Sequence, residues 1–280
     1  MNNLDQLREQ QRQDWDTFSP GWKKWDTFLM DFFRPVGEKL IEVVELKNNS
    51  RVLDASTGTG EPGLSAAARV PNGEVIGTDI ATEMVKIANE NAKARGISNY
   101  KAVVCETERQ PFDENYFDAV ICRFGVMYFP DMKEGVRELV RVLRPGGKLS
   151  LSAWSEPEKN PWVTTMGSIV NRTLGVPPPS PEVPHVFRGS KPGTLANILK
   201  ECSLDDAREV EVSGKVSFAS PEHYWDFMMD IAPPIVKNLS KADEPTRHNI
   251  KTEVLAAAER YRDGNGIVFH WASWIGHGMK

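Results

Sequence analysis

The chain has 280 residues, 40% of them apolar and 26% charged, enough to bury one large core with an attached lid. Its net charge of −5 and the lack of any Lys/Arg run longer than two residues argue against a nucleic-acid partner and for a small molecule. The three cysteines (Cys105, Cys122, Cys202) lie far apart with no CxxC, which argues against a disulfide framework or a metal site. The polar N-terminal stretch and the absence of any run near the roughly 18 apolar residues of a membrane span make the cytoplasm the expected compartment.

Residues 1–50 read as helices: Trp15, Phe18, Trp22, Trp25, Phe28 and Leu29 recur at spacings of three and four, with an interruption expected at Ser19-Pro20-Gly21. A second block, Arg34–Glu45, puts Val36, Leu40, Ile41 and Val44 on one face. The tryptophan-rich stripe either packs on a core or closes one or two rings, Trp22 and Trp25, over a ligand.

From residue 51 to 154 short strands alternate with helices. The strands are expected at Arg51–Ala55, Glu74–Asp79, Tyr100–Cys105, Phe117–Arg123 and Lys148–Trp154, the helices at Gly60–Val70, Thr82–Arg95 and Met132–Leu143. Such alternation means βαβ units and a parallel sheet with helices on both faces, a Rossmann-like α/β core. Beyond Trp154 helical pieces at Trp162–Leu174 and Pro192–Cys202 flank a proline-rich loop, Val176–Pro184. A strand at Glu209–Phe218, two helical blocks (Pro221–Leu239 and Glu244–Tyr261) and a last strand at Gly266–Trp274 follow. The two blocks are too long for a plain connection and read as a lid inserted between the last two strands.

"DASTGTGEPG", Asp54 to Gly63, follows the first strand and matches the GxGxxG of dinucleotide-binding loops, a weak signal by itself. In open α/β sheets the ligand lies outside the carboxyl ends of the strands, so the residues just after each strand matter most. Gly58 and Gly60 let the backbone turn tightly, and Asp79 at the end of the second strand can accept both hydroxyls of a ribose. A pyrophosphate wants bare helix N–H groups, whereas Asp54 and Glu61 flank this turn with negative charge. A cationic, phosphate-free nucleoside suits it better, and S-adenosylmethionine is one.

"VLDASTGTG", "VIGTDI", "CETERQPFDENYFDAVICRFGVMYFPD" and "ELVRVLRPGGKLSLSAW", in that order, resemble the motifs of class I S-adenosylmethionine-dependent methyltransferases, nearest the ubiquinone and menaquinone group. The likeness is strong over residues 50–154 and general beyond, where "PHVFRGSKPGTLANILKECSL" is similar to the family's helix before the sixth strand. The resemblance implies a seven-stranded, mostly parallel Rossmann-like sheet with three regions. These are N-terminal helices over the cofactor site (1–50), a cofactor-binding core (51–154), and last strands with a helical lid (155–280).

It also implies roles. Asp54 takes the place of the acid in the family's glycine-rich turn, Gly58 and Gly60 the places of its last two glycines, and Ser56 stands where the family has its first. Ser56, Thr57 and Thr59 would line the methionine part of the cofactor, and Asp79 would hold the ribose. Ile80 and Met84 would pack on the adenine, Glu106 with Thr107 would meet its edge, and Arg123 would face the methyl group with Met127 beside it. "LRPGG" would be a structural turn.

Methyl transfer from a sulfonium needs alignment and dryness more than acid–base chemistry. Where a base is required, His185 and His223 are the candidates, being the histidines of the expected lid. Trp154, Phe187 and Tyr224 join Trp22, Trp25 and Met127 as candidate contacts of an apolar or aromatic acceptor, methylated on carbon or oxygen, by a monomer or homodimer. A nicotinamide oxidoreductase and a catalytically silent cofactor-binding protein are the competing classes.

Overall fold

The computed structural model describes residues 3–280, and of Asn3 the backbone alone. Two helices come first, α1 (Asn3–Lys24) and α2 (Asp26–Val43). Then β1 (Arg51–Ala55), α3 (Gly63–Arg69), β2 (Glu74–Asp79), α4 (Thr82–Ala94), β3 (Tyr100–Val104), β4 (Phe117–Arg123), α5 (Met132–Val142) and β5 (Leu143–Trp154) alternate as the sequence predicts. The remainder comprises α6 (Pro161–Leu174), α7 (Thr194–Glu201), β6 (Asp205–Phe218), α8 (Pro221–Ile231), α9 (Pro233–Ser240), α10 (Glu244–Glu259), β7 (Arg262–Asp263) and β8 (Gly266–Met279).

The eight strands form one sheet in the order β3-β2-β1-β4-β5-β8-β6, with the two-residue β7 attached to β8. β1 to β5 run parallel, while β8 is antiparallel to both β5 and β6. The interiors of β1 and β4 are apolar and buried because helices cover both faces. The chain winds outward to one side through β2 and β3 and to the other through β4 and β5. The crevice at the carboxyl ends of β1 and β4 is therefore the expected ligand position.

Local chemistry explains the elements around that crevice. α5 buries Met132, Val136, Leu139 and Val140 as one stripe, and its N-cap Asp131 accepts the Glu134 N–H at 3.0 Å. α8 starts at the Ser220 cap with Pro221 in its first turn. One apolar cluster joins α2 to β4, β5, β8 and the lid helices, and a second lies under α3 and α4.

Three expectations need correction. The interruption at Ser19-Pro20-Gly21 does not occur: α1 runs on to Lys24 and the break falls at Trp25. Pro20 cannot donate to the Asp16 carbonyl, and the Ser19 hydroxyl donates to it instead at 2.8 Å. Gly21 serves packing, since a Cβ there would stand 2.0 Å from the Asp230 carbonyl oxygen of α8. The block Pro221–Leu239 is two helices, parted at Ala232 because a residue before proline is driven out of the helical region. The LRPGG turn lies inside β5 as a four-residue excursion between the partners of Phe117 and Ala119, with Gly146 at φ 73°. No helix among the described residues is long and apolar enough to cross a membrane.

Candidate functional site

After β1 the chain turns through Ser56 (φ 55°), Gly58 (φ 54°) and Gly60 (φ 113°). Only glycine enters this left-handed region freely, so Ser56 holds a strained backbone. Its side chain fits because residue 125 is glycine: a Cβ on Gly125 would stand 2.5 Å from both Cβ and Oγ of Ser56. Phe124, the residue before that glycine, is also left-handed at φ 57°. Non-glycine outliers of this kind concentrate at ligand sites.

Asp54 is fully buried. Its Oδ2 accepts from Thr57 Oγ1 at 2.5 Å and from the Gly63 N–H at 2.9 Å, while Oδ1 has no partner. Burial pushes its pKa up to about 7, against the pull of Thr57 and of the positive charge on Arg123. The Ser65 N–H is taken by Glu61 Oε2 at 3.1 Å. Two N–H groups at the start of α3 thus already bond to protein carboxylates, which leaves a poor seat for a pyrophosphate. Asp79 ties β2 to the turn, with Oδ2 accepting from the Gly58 N–H and Oδ1 from the Ala81 N–H, both at 2.9 Å. Burial pushes Asp79 up to about 6. Each oxygen retains acceptor capacity for hydroxyl donors.

These residues border a cavity of about 220 Å³. Ser56, Thr57, Gly58, Thr59, Asp79, Ile80, Met84, Thr107 and Arg123 all stand in its wall, as do Met127, Trp22 and Trp154. Asp54 and Gly60 are not in the wall: Asp54 is fully buried, and Gly60 packs against Leu64. The opposite wall is apolar: Trp162 and Val163 from α6, Met228 and Ile231 from α8, and Pro233 to Ile235 from α9. Trp154 stacks on Phe124 at 4.0 Å with ring planes 13° apart, so β5 and the turn after β4 present one aromatic surface. The indole N–H groups of Trp22 and Trp162 are buried without a partner.

Other expected residues fall elsewhere. Glu106 is not in the wall; it is partly exposed and lies near Arg8 of α1 and Arg109. Glu108, two residues on, is in the wall, with Arg8 Nε 3.5 Å from its Oε2 and its Oε1 unpartnered. His185 accepts the Phe187 N–H on Nδ1 at 3.2 Å, and its pKa is lowered by burial; Val186 takes the place on the wall that Phe187 was expected to fill. His223 accepts the Ala219 N–H on Nδ1 at 3.1 Å and packs its ring against Trp25. Trp25 sits at the α1–α2 joint and donates to Asp230 at 2.8 Å. Tyr224 is fully buried, donating to the Trp162 carbonyl at 2.7 Å and accepting from the Met166 N–H at 3.2 Å, so it fastens α8 to α6.

The reading of the sequence missed Gln11 and Trp15 of α1 and Phe33 of α2, all in the wall. Gln11 donates to the Tyr128 carbonyl at 2.6 Å, and Trp15 meets the Tyr128 ring edge-on at 5.3 Å. Trp15 was legible as part of the tryptophan stripe; nothing local marks Gln11.

Residues 52–147 match a methyltransferase-domain family. The chain is 36% identical over 121 residues to the demethylmenaquinone methyltransferase of Thermus thermophilus, covering 43% of this chain and 54% of that protein. It is 35% identical over 122 residues to the ubiquinone/menaquinone biosynthesis C-methyltransferase of Pseudomonas aeruginosa, covering 43% and 48%. The chain thus spans about half the length of the curated relatives it matches. Among solved structures, the YcgJ protein of Bacillus subtilis shares the fold at a TM-score of 0.58 and 23% identity, over 87% of this chain and 97% of that one. Over this central region the chain is therefore similar to methyltransferases, the quinone-pathway enzymes among them.

Proposed function

We propose that the protein is an S-adenosylmethionine-dependent methyltransferase acting on carbon or oxygen of a small, apolar or aromatic acceptor. The observation that carries this reading is one cavity lined by two unlike sets of residues. The turn after β1 and Asp79 are the polar set, and Trp22, Trp154, Trp162 and the lid residues of α8 and α9 the apolar one. The residues fit the cofactor: Asp79 offers a carboxylate to a ribose, Ile80 and Met84 offer apolar surface to a purine, and the free oxygen of Asp54 suits a nearby positive charge.

When bound, S-adenosylmethionine supplies an activated methyl group on positively charged sulfur. The chain's residues then align and exclude. Phe124 stacked on Trp154 gives a planar acceptor a face to lie on, and the N–H groups of Trp22 and Trp162 suit an acceptor oxygen. The lid helices keep water from those groups. Neither His185 nor His223 stands in the wall, which favours an acceptor that reacts without a histidine base. The quinone methyltransferases to which the chain is similar make quinols and phenols the first acceptors to try. We read the protein as cytoplasmic, monomeric or dimeric, and without a nucleic-acid partner, in keeping with three free buried cysteines and net negative charge.

Labelled methyl incorporation across a panel of quinols, phenols and aliphatic acceptors tests the reading. Transfer to an apolar ring acceptor supports it. Tight S-adenosylhomocysteine binding with no transfer to any acceptor class would return the silent cofactor-binding alternative.

A further inference from the structure

β6 is the last strand of the sheet and, at 14 residues, as long as any in it. β8 fills one of its edges, and no other described segment hydrogen-bonds to its backbone. A free row of N–H and C=O groups of this length is a template for another strand, which natural edges resist with proline, bulges or a covering element. β6 has no proline, and its one register shift lies at the start, between Asp205 and Arg208. From Arg208 to Phe218 its ladder with β8 is regular. It also carries Val210, one of four large apolar side chains exposed among the described residues.

The side chains specify which strand fits. Alternate residues share a face, so Glu209, Glu211, Ser213 and Lys215 stand together. Ser213, Lys215 and His270 line a shallow, open depression there. Lys215 has no ion pair and no side-chain hydrogen bond among the described residues. Glu211 is partly exposed and accepts from Lys159 and, at 3.5 Å, from Ser155. Glu209 is occupied: its oxygens accept from the N–H groups of Gly193, Leu195 and Ala196 at 2.9, 3.0 and 3.1 Å, capping α7. An antiparallel second β6, opposed at Ser213, sets Glu211 of each chain against Lys215 of the other and Val210 against Val216. Opposition at Glu211 would face two carboxylates, opposition at Val212 would offer Lys215 only the occupied Glu209, and opposition at Gly214 would leave it a serine. One register therefore makes the edge complementary to itself, and a two-fold axis forms both charge pairs at once. We propose that β6 is a dimer interface, pairing antiparallel with β6 of a second copy of this chain about an axis at Ser213, so that one sheet runs through both protomers.

Sedimentation equilibrium on the full chain tests this. One strand pair lies at the small end of specific interfaces, so the dimer is expected to dissociate at roughly micromolar concentration. Lys215→Glu and Glu211→Lys each place like charges opposite one another at both contacts, and each should weaken self-association by roughly 10- to 30-fold. Mixed in equal amounts, the two variants should pair with one another within about threefold of the wild-type affinity, because every contact again joins opposite charges. Directly opposed residues of antiparallel strands have Cα atoms about 4.5–5.5 Å apart, within disulfide reach. Ser213→Cys should thus give a covalent dimer with the thiol oxidant diamide while Val210→Cys does not, the three native cysteines being buried. A wild type still monomeric at about 200 μM overturns the proposal and leaves the edge to no second copy. A dimer unmoved by either charge reversal, or variants that pair no better mixed than alone, overturns it as well. If a charge variant does not fold, the cross-linking pattern decides: no covalent dimer through residue 213 refutes the pairing.

Discussion

Ser56 and Gly125 form a pair whose shapes depend on each other. Gly125→Ala would set a methyl group 2.5 Å from Ser56 Cβ and Oγ and 2.8 Å from Cys122 Sγ, far inside the 3.4 Å at which ordinary contact begins. Overpacking of this kind costs roughly 1–3 kcal/mol, and the upper half of that range is expected because both partners are fixed by backbone. Ser56→Gly alone should change stability little: it relieves about 1–2 kcal/mol of left-handed strain but returns about 0.4–1 kcal/mol of freedom to the unfolded chain. In the double variant the two Ser56 contacts are gone while the Cys122 contact stays, so it should recover about 1–2 kcal/mol of the Gly125→Ala loss. Urea unfolding followed by far-ultraviolet circular dichroism of the four proteins measures this coupling. Additivity within about 0.5 kcal/mol would refute the steric argument.

The raised carboxyl groups at the turn give opposite pH trends with and without ligand. Asp54 at about 7 and Asp79 at about 6 hold protons more tightly folded than unfolded, so their contribution to ligand-free stability is full below about pH 4 and lost as pH rises through 6 to 7. Affinity for the cationic cofactor should instead rise over the same window, roughly tenfold, as both groups ionise. Thermal melts with and without ligand from pH 5 to 8 show both, and Asp54→Asn should flatten most of the ligand-free slope. Asp79→Ala should weaken S-adenosylhomocysteine binding by about 10- to 150-fold, and unchanged calorimetric affinity would remove Asp79 from the site. His185→Ala and His223→Ala should each leave kcat within about threefold, since general-base loss costs about 100-fold or more; a larger drop would put a histidine back in the chemistry.

The polar part of the cavity wall is legible in the sequence because it depends on neighbours along the chain. The glycines at 58 and 60 and the acids at the ends of β1 and β2 are placed by the local strand–turn–helix pattern alone. The lid is not. Pro20 looked like a stop signal, and only the Ser19 hydroxyl bond to the Asp16 carbonyl and the close approach of Gly21 to α8 explain why α1 continues. Glu106 and Glu108 are equally acidic in the sequence; only Glu108 borders the cavity, although Arg8, about a hundred positions away, lies near both. Gln11 and the prolines of α9 reach the wall through packing between distant helices, for which periodicity gives no sign.

Trp15, Trp22, Trp154 and Trp162, four of the chain's eight tryptophans, share the wall of one cavity, while Trp225 and Trp271 are buried outside it. The protein therefore carries its own optical reporter. An aromatic guest that stacks on these indoles quenches their emission, and the outlying rings supply a steady background, so acceptor screening can proceed by intrinsic fluorescence before any turnover is detected.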